Sequence, residues 1–331
     1  MTDTIFSAYV IEEKDEQYVG TFHDHTFADL PEGDLLIKVE YSSLNYKDAL
    51  SASGNKGVTR NYPHVPGIDA AGEVVESKVD TFAKGDKVIV TSYDLGMNTH
   101  GGFSEYIRVP AAWALKLPEG LTTKEAMMYG TAGLTAGMSV FRLRQQVQPA
   151  DGPVLVSGAT GGVGSIAVAM LAKLGYQVTA ITGKKESVPF LEQLGAKEVV
   201  FRQDLPLEEK RPMLKAAYAG AIDAVGGPIL EYALKCVKPQ GVVTCCGNVA
   251  SPKLGTTVFP FILRGISLVG IDSQNFPMEE RQKVWHALAN ELKPAVLPDL
   301  CQEINLWDLR TDIKAMLEGK SKGHKVIRIA E

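Results

Sequence analysis

Three glycines, Gly158, Gly161 and Gly164, stand three residues apart between the β-branched run Val154-Leu-Val-Ser157 and an apolar helical run. A turn so bare of side chains, set where a strand hands over to a helix, lets the backbone of Thr160, Gly161, Gly162 and Val163 approach an anion closely, with the positive end of the helix behind it. The chemistry this suits is the holding of a dinucleotide pyrophosphate. The first spacing departs from G-x-G-x-x-G, and a tight strand–helix junction that holds nothing would use the same residues.

The next β-branched run ends in Thr182-Gly-Lys-Lys-Glu186. A cofactor without a 2′-phosphate usually meets an acidic residue here, which binds its ribose hydroxyls. A hydroxyl, a backbone amide and two ammonium groups suit a dianionic phosphate instead, so Thr182, Gly183, Lys184 and Lys185 favour NADPH over NADH. The alternative is a pair of lysines that solvate a loop, one of them paired with Glu186. Arg202, beyond the third run, reaches the same phosphate, stacks on an adenine, or stands exposed.

These residues need a parallel sheet behind them. Short β-branched runs at 154–157, 177–182, 198–201, 220–223, 241–244 and 267–270 alternate with helical stretches, the pattern of βαβ units and a Rossmann doubly wound sheet. Residues 278–291 read as a last helix on that sheet. The first third is turn-rich and strand-like, with runs at 35–41, 72–76 and 87–91 that read as a partly open β-barrel, and 323–329 is a closing strand that returns to it. The expected α/β organisation is a barrel-like domain over 1–124 and 293–331, with a cofactor domain over 125–292.

With 331 residues, 45% hydrophobic, two cores are expected, and a net charge of −5 disfavours a broad nucleic-acid or membrane-binding surface. No apolar run reaches the ~18 residues of a membrane span and the start has no secretory pattern, which reads as a soluble cytoplasmic protein. Cys236, Cys245, Cys246 and Cys301 lack metal or disulfide spacing and read as buried free thiols.

The chain resembles the medium-chain dehydrogenase/reductase superfamily, and within it the YhdH/YhfP-type quinone-oxidoreductase-like group that includes acryloyl-CoA reductase. The resemblance is carried by Ser42-Ser-Leu-Asn-Tyr-Lys-Asp-Ala-Leu50, Pro66-Gly-Ile-Asp-Ala-Ala-Gly72, Gly130-Thr-Ala-Gly-Leu-Thr-Ala136, the glycine turn, and Pro260-Phe-Ile-Leu-Arg-Gly-Ile-Ser-Leu-Val-Gly-Ile-Asp-Ser273. It implies a GroES-like catalytic domain, a Rossmann NADP(H) domain, and a homodimer through the edge strand around 267–270. Zinc is not expected. The first domain has no cysteine, the Gly-His-Glu stretch of the zinc enzymes is replaced by Pro66-Gly-Ile-Asp69, and His23, His25, His64 and His100 read as surface or loop residues.

The resemblance places Asn45 and Tyr46 on the nicotinamide side, Asn45 as a donor to the acceptor's carbonyl and Tyr46 as a ribose contact or proton donor. Tyr46 as a packing aromatic and Asp48 as a helix cap are the plainer readings. Thr131 matches a residue beside the nicotinamide, or caps the helix that follows. Asn248 and Leu268 match cofactor-lining positions. His324 stands where the group often has arginine; if it touches a phosphate, binding strengthens below about pH 6.5, the ordinary histidine value. The activity implied is conjugate reduction of a short α,β-unsaturated acyl-CoA, acryloyl-CoA being the family's suggestion. A quinone or enone acceptor and a non-catalytic NADPH-binding module are the rivals, and Lys56, Arg60 and Arg264 are candidate cations for coenzyme A.

Overall fold

The structure, a computed structural model, describes residues 4–329; residues 1–3 and 330–331 of the expected first domain lie outside it. Two compact units emerge, one of Met1–Thr131, Gln274–Ala289 and Cys301–Glu331, the other of Ala132–Ser273 and Asn290–Leu300.

The second unit is a six-stranded parallel sheet in the order Ala196–Phe201, Val178–Thr182, Val154–Val156, Tyr218–Asp223, Val237–Cys245, Ser267–Gly270. Numbered by sequence, this is the doubly wound order 3-2-1-4-5-6, with its reversal between Val154–Val156 and Tyr218–Asp223. The central strands are buried along their whole length, as parallel strands covered on both faces must be. The helix Gly162–Lys173 buries Gly164 through Leu171. Ile166, Val168, Met170 and Leu171 are each fully buried, and each contributes about 1.5–3 kcal/mol of hydrophobic stabilisation.

In the first unit the strand Leu35–Leu44 is the hub. It pairs antiparallel with Asp69–Ser77, Tyr106–Val109 and His324–Arg328, while His324–Arg328 pairs in parallel with Cys301–Asn305. Lys87–Thr91 and Ala114–Lys116 complete a seven-stranded sheet. Alternation sorts the hub's side chains: Leu35, Ile37 and Val39 enter one core with Val74, Val88, Val90 and Ile107, and Leu36 enters another with Phe6 and Leu30. A hairpin of Phe6–Lys14 and Gln17–His25, absent from the expected strands, turns through Asp15 and Glu16, both left-handed at φ 50° and 61°.

One expected helix lies elsewhere. Met278–Ala289 belongs to the first unit and not to the parallel sheet, with Trp285 fully buried and edge-on to Tyr129. Among the described residues no helix is long and apolar enough to cross a membrane.

Candidate active site

In the second unit the glycine turn is held from below. Ser157 Oγ donates to Asp223 Oδ1 at 2.6 Å and accepts from the Ala224 amide at 3.0 Å, while Asp223 Oδ2 accepts from the Gly226 amide at 2.7 Å. Burial raises the Asp223 pKa, and these hydrogen bonds oppose it. The carboxyl ends of the two strands at the reversal point are thereby tied together, at the place where open parallel sheets receive ligands.

The three glycines do different things. Gly158 is left-handed at φ 57°, and a Cβ there would lie 2.8 Å from Val225 Cγ1. A Cβ on Gly164 would lie 2.3 Å from the Gly158 carbonyl oxygen, so the helix packs this closely on the turn only as glycine. Gly161 is another matter. Its nearest neighbour would be the Gly158 oxygen at 3.4 Å, an ordinary contact, and the residue is exposed. The protein's own packing does not require glycine at 161. A cradle that a Cβ would partly fill, beside the buried Thr160 and the half-buried Gly162 and Val163, fits a phosphate group.

At the end of the next strand Thr182 is buried and its Oγ1 accepts the Lys184 amide at 3.0 Å. Arg202 lies against Gly183, its Nη2 being 3.2 Å from where a Cβ would sit. Burial lowers the Lys184 pKa, with Glu186 pulling the other way, and the Lys185 ammonium sits 5.8 Å from the Phe201 ring centroid. Thr182, Gly183, Lys184 and Arg202 therefore lie in one group.

The other second-unit candidates differ in character. Asn248 is exposed beyond Gly247, whose Cβ would be 1.9 Å from the Ala224 carbonyl oxygen. Leu268 packs on the sheet's apolar core from the edge strand. Arg264 is no ligand cation: its guanidinium donates to the Lys235, Val237 and Leu214 carbonyls.

His324 is corrected by the structure. It lies inside the first unit at 3% exposure, its ring bonded to the Met127 backbone, and burial pushes its pKa down to about 4. A ring that stays neutral at physiological pH does not stand in for a phosphate-binding arginine. The four histidines expected at the surface or in loops are not uniformly there either: His64 is buried with its Nε2 2.9 Å from the Gly96 carbonyl oxygen, and burial pushes His100 down to about 3.

The first unit holds a polar network centred on a residue the sequence had not singled out for a role. Asp69 is fully buried. It accepts hydrogen bonds from Ser43 Oγ (2.6 Å), Asn45 Nδ2 (2.7 Å), the Thr131 amide (2.7 Å) and Thr131 Oγ1 (2.6 Å). Burial raises its pKa, while four donors on two oxygens favour the ionised form. Gly130 makes the approach possible: it breaks the helix Thr123–Arg144 at φ 51°, and a Cβ there would fall 2.5 Å from both Asp69 Oδ2 and Ser43 Oγ.

Asn45 precedes the helix Tyr46–Ala52, and its backbone N–H donates to Asp48 Oδ2 at 2.8 Å. Asp48 Oδ1 takes the Gly67 and Ile68 amides, and burial pushes the Asp48 pKa up to about 7 against these donors, with Asp69 adding to the rise. Asp48 is thus an organiser of the Asn45 turn. The Asn45 amide nitrogen serves Asp69 and, at 3.2 Å, Ser43 Oγ. With its hydrogens so engaged, the Asn45 side chain can offer a ligand only its oxygen, which the capping box with Asp48 also uses, an acceptor where the sequence suggested a donor. Tyr46 is 37% exposed on the first helical turn. Among the described residues no three His, Cys, Asp or Glu side chains form a metal-ligand set.

Comparison with known proteins gives this geometry its relatives. Residues 31–119 match the alcohol dehydrogenase GroES-like domain and 162–290 the zinc-binding dehydrogenase domain. The chain is 43% identical to the putative quinone oxidoreductase YhfP of Bacillus subtilis, over 98% of this chain and 99% of that one. A solved structure of that protein with NAD bound superposes at a TM-score of 0.95, covering 98% of this chain and 100% of that one. Identity to the acrylyl-CoA reductase AcuI of Ruegeria pomeroyi is 40%, again over 98% and 99%. The yhdH oxidoreductase of Salmonella enterica, solved in complex with NADP, is 38% identical, with a TM-score of 0.95 over 98% of this chain and 100% of that one.

Proposed function

Because the chain belongs to the medium-chain dehydrogenase/reductase family, in its YhdH/YhfP-type quinone-oxidoreductase-like group, we propose that it is an NADPH-dependent reductase of activated C=C bonds, acting on a short α,β-unsaturated acyl-CoA such as acryloyl-CoA. The observation that supports the cofactor assignment is the group of Thr182, Gly183, Lys184 and Arg202, in which a hydroxyl, a backbone amide and two basic residues stand at the second strand's end where an acidic residue would bind the ribose hydroxyls, with Glu186 near Lys184. The acceptor assignment is supported by two relatives, the acrylyl-CoA reductase AcuI of Ruegeria pomeroyi at 40% identity and the probable acrylyl-CoA reductase AcuI of Escherichia coli at 39%.

When bound, NADPH supplies the hydride that turns an activated alkene into an enolate. The amides of Thr160 to Val163 bind the pyrophosphate, and Thr182, Lys184 and Arg202 the 2′-phosphate. Asp69 takes the Thr131 hydroxyl hydrogen, so Thr131 offers a ligand a lone pair suited to an amide N–H. Asn45 offers its oxygen in the same sense, and Tyr46 contacts the ribose or passes a proton from its hydroxyl. Asn248 and Leu268 line the cofactor.

A quinone acceptor is the second reading, favoured by the name of the relative at 43% identity. Purified protein is assayed for NADPH oxidation with acryloyl-CoA, crotonyl-CoA and a small quinone in parallel, with NADH as control. Preference for acryloyl-CoA supports the thioester assignment; preference for the quinone sinks it and keeps the cofactor.

The same reading includes a homodimer. Among the described residues Ser267–Gly270 is paired on one side only, and the neighbouring helix Phe259–Arg264 exposes Phe259, Ile262 and Leu263, the last two at 68% and 60%. Mating of two such edges would remove both exposures.

A further inference from the structure

The strand Lys87–Thr91 runs into two residues whose backbone is left-handed although neither is glycine, Ser92 at φ 63° and Tyr93 at φ 52°. A serine and a tyrosine in that region are strained, and they persist only where their surroundings overdetermine them. The Ser92 amide donates to the Ile68 carbonyl at 2.7 Å and the Tyr93 amide to that of Gln274 at 3.2 Å. The Tyr93 hydroxyl donates to the Phe276 carbonyl at 3.2 Å. The Tyr93 ring stacks on Trp113, centroids 5.9 Å apart and planes at 11°, and the Arg281 guanidinium carbon lies 4.3 Å from its centroid.

Arg281 is 0% exposed, and its fork joins two stretches of chain. Nη1 donates to Thr91 O at 2.8 Å and Thr91 Oγ1 at 2.9 Å; Nη2 donates to Gln274 O at 3.2 Å. A buried cation needs such partners, and the compact ammonium of lysine cannot reproduce the planar fork.

What the held backbone presents is a hydroxyl. Ser92 is 2% exposed, and its Oγ lies 2.8 Å from Thr131 Oγ1. Thr131 gives its own hydroxyl hydrogen to Asp69 Oδ1, so Ser92 is the donor of that pair. The chain of hydrogen bonds runs from Ser92 through Thr131 to Asp69.

Resting on the function proposed above, we propose that Arg281 is a positioning residue for hydride transfer: it holds Ser92 and Tyr93 left-handed, which keeps the Ser92 hydroxyl on Thr131 and fixes Thr131 beside the nicotinamide. Neither Arg281 nor Ser92 touches the reacting atoms; both act through Thr131.

A double-mutant cycle on the full chain tests this, with Arg281→Lys, Ser92→Ala and the pair. The readouts are kcat, KM for the acceptor, NADPH affinity by fluorescence, and the deuterium isotope effect with 4-deuterated NADPH. Each single variant is expected to lower kcat about tenfold and raise the isotope effect, with NADPH affinity within about threefold. The double variant should be no slower than the slower single, because residues acting through one hydroxyl are not additive. Should Arg281→Lys fail to fold, Tyr93→Leu, which removes the ring beneath the guanidinium, replaces it in the cycle. Multiplicative losses, or unchanged kcat in Arg281→Lys, overturn the inference alone. Absence of wild-type turnover with thioester and quinone alike overturns the proposed function and this inference with it.

Discussion

The side-chain nitrogen of Asn45 lies 2.7 Å from Asp69 Oδ2, and this contact fixes which end of the Asn45 amide faces the buried carboxyl. Asn45→Ala removes one of four donors to a buried carboxyl. It is expected to cost about 1–3 kcal/mol of stability and to lower kcat/KM at least about tenfold. Asn45→Asp sets a second carboxyl against Asp69, so its loss of activity should grow as pH rises from 5.5 to 8.5. A flat profile for that variant would show that the contact does not govern the site.

The turn glycines separate stability from binding. Gly164→Ala, with its Cβ 2.3 Å from a carbonyl oxygen, should lose about 1–3 kcal/mol in urea unfolding. Gly161→Ala should unfold within about 0.5 kcal/mol of wild type and yet weaken NADPH binding about tenfold or more by titration. Equal affinity in Gly161→Ala would mean that no phosphate sits over that residue.

Cofactor choice rests on the cations near Gly183. Arg202→Gln and Lys184→Gln should each raise the KM for NADPH about tenfold, the scale of one charge-assisted hydrogen bond. The KM for NADH should barely move. If both cofactors weaken alike, the pair serves the shared part of the nucleotide and not the 2′-phosphate.

His324 sets an acid limit to stability. Its folded pKa, about 4, lies below the unfolded value near 6.5. Between the two, the unfolded chain binds the extra proton, so the contribution is whole above pH 6.5 and is lost as pH falls towards 4. The full effect is about 3 kcal/mol. His324→Gln should flatten urea midpoints measured from pH 7 to 4.5, with buried His100 supplying part of the remaining slope. NADPH affinity should show no gain below pH 6.5 that His324→Gln abolishes.

If Ile262 lies in a dimer interface, Ile262→Asp should shift the sedimenting species from dimer towards monomer at micromolar concentration. A wild-type protein that sediments as a monomer would end the edge-pairing reading.

All six strands of the parallel sheet were legible as short apolar runs, a composition that burial on both faces forces on the three central ones, Val154–Val156, Val178–Thr182 and Tyr218–Asp223. The Phe6–His25 hairpin was not. Its turn is Asp15-Glu16, and both residues adopt the left-handed backbone that Asn-Gly usually announces. The helix Met278–Ala289 was legible as a helix but not in its placement, since periodicity reports a buried face and not what covers it. The glycine turn and the cation group were readable because their residues are neighbours in sequence. Asp69 was not, because its donors come from positions 43, 45 and 131, and nothing in local spacing connects them.

The first unit is discontinuous, and this sets an order on synthesis. Its hub strand, Leu35–Leu44, leaves the ribosome well before its partner His324–Arg328. In between, the whole run Ala132–Ser273 of the second unit is translated. The first unit is therefore completed only after the bulk of the second has emerged, and until His324–Arg328 arrives the Tyr41–Leu44 end of the hub strand lacks one partner in the nascent chain. A chain stalled after residue 300 should hold a nearly complete parallel sheet beside an open, chaperone-dependent β layer.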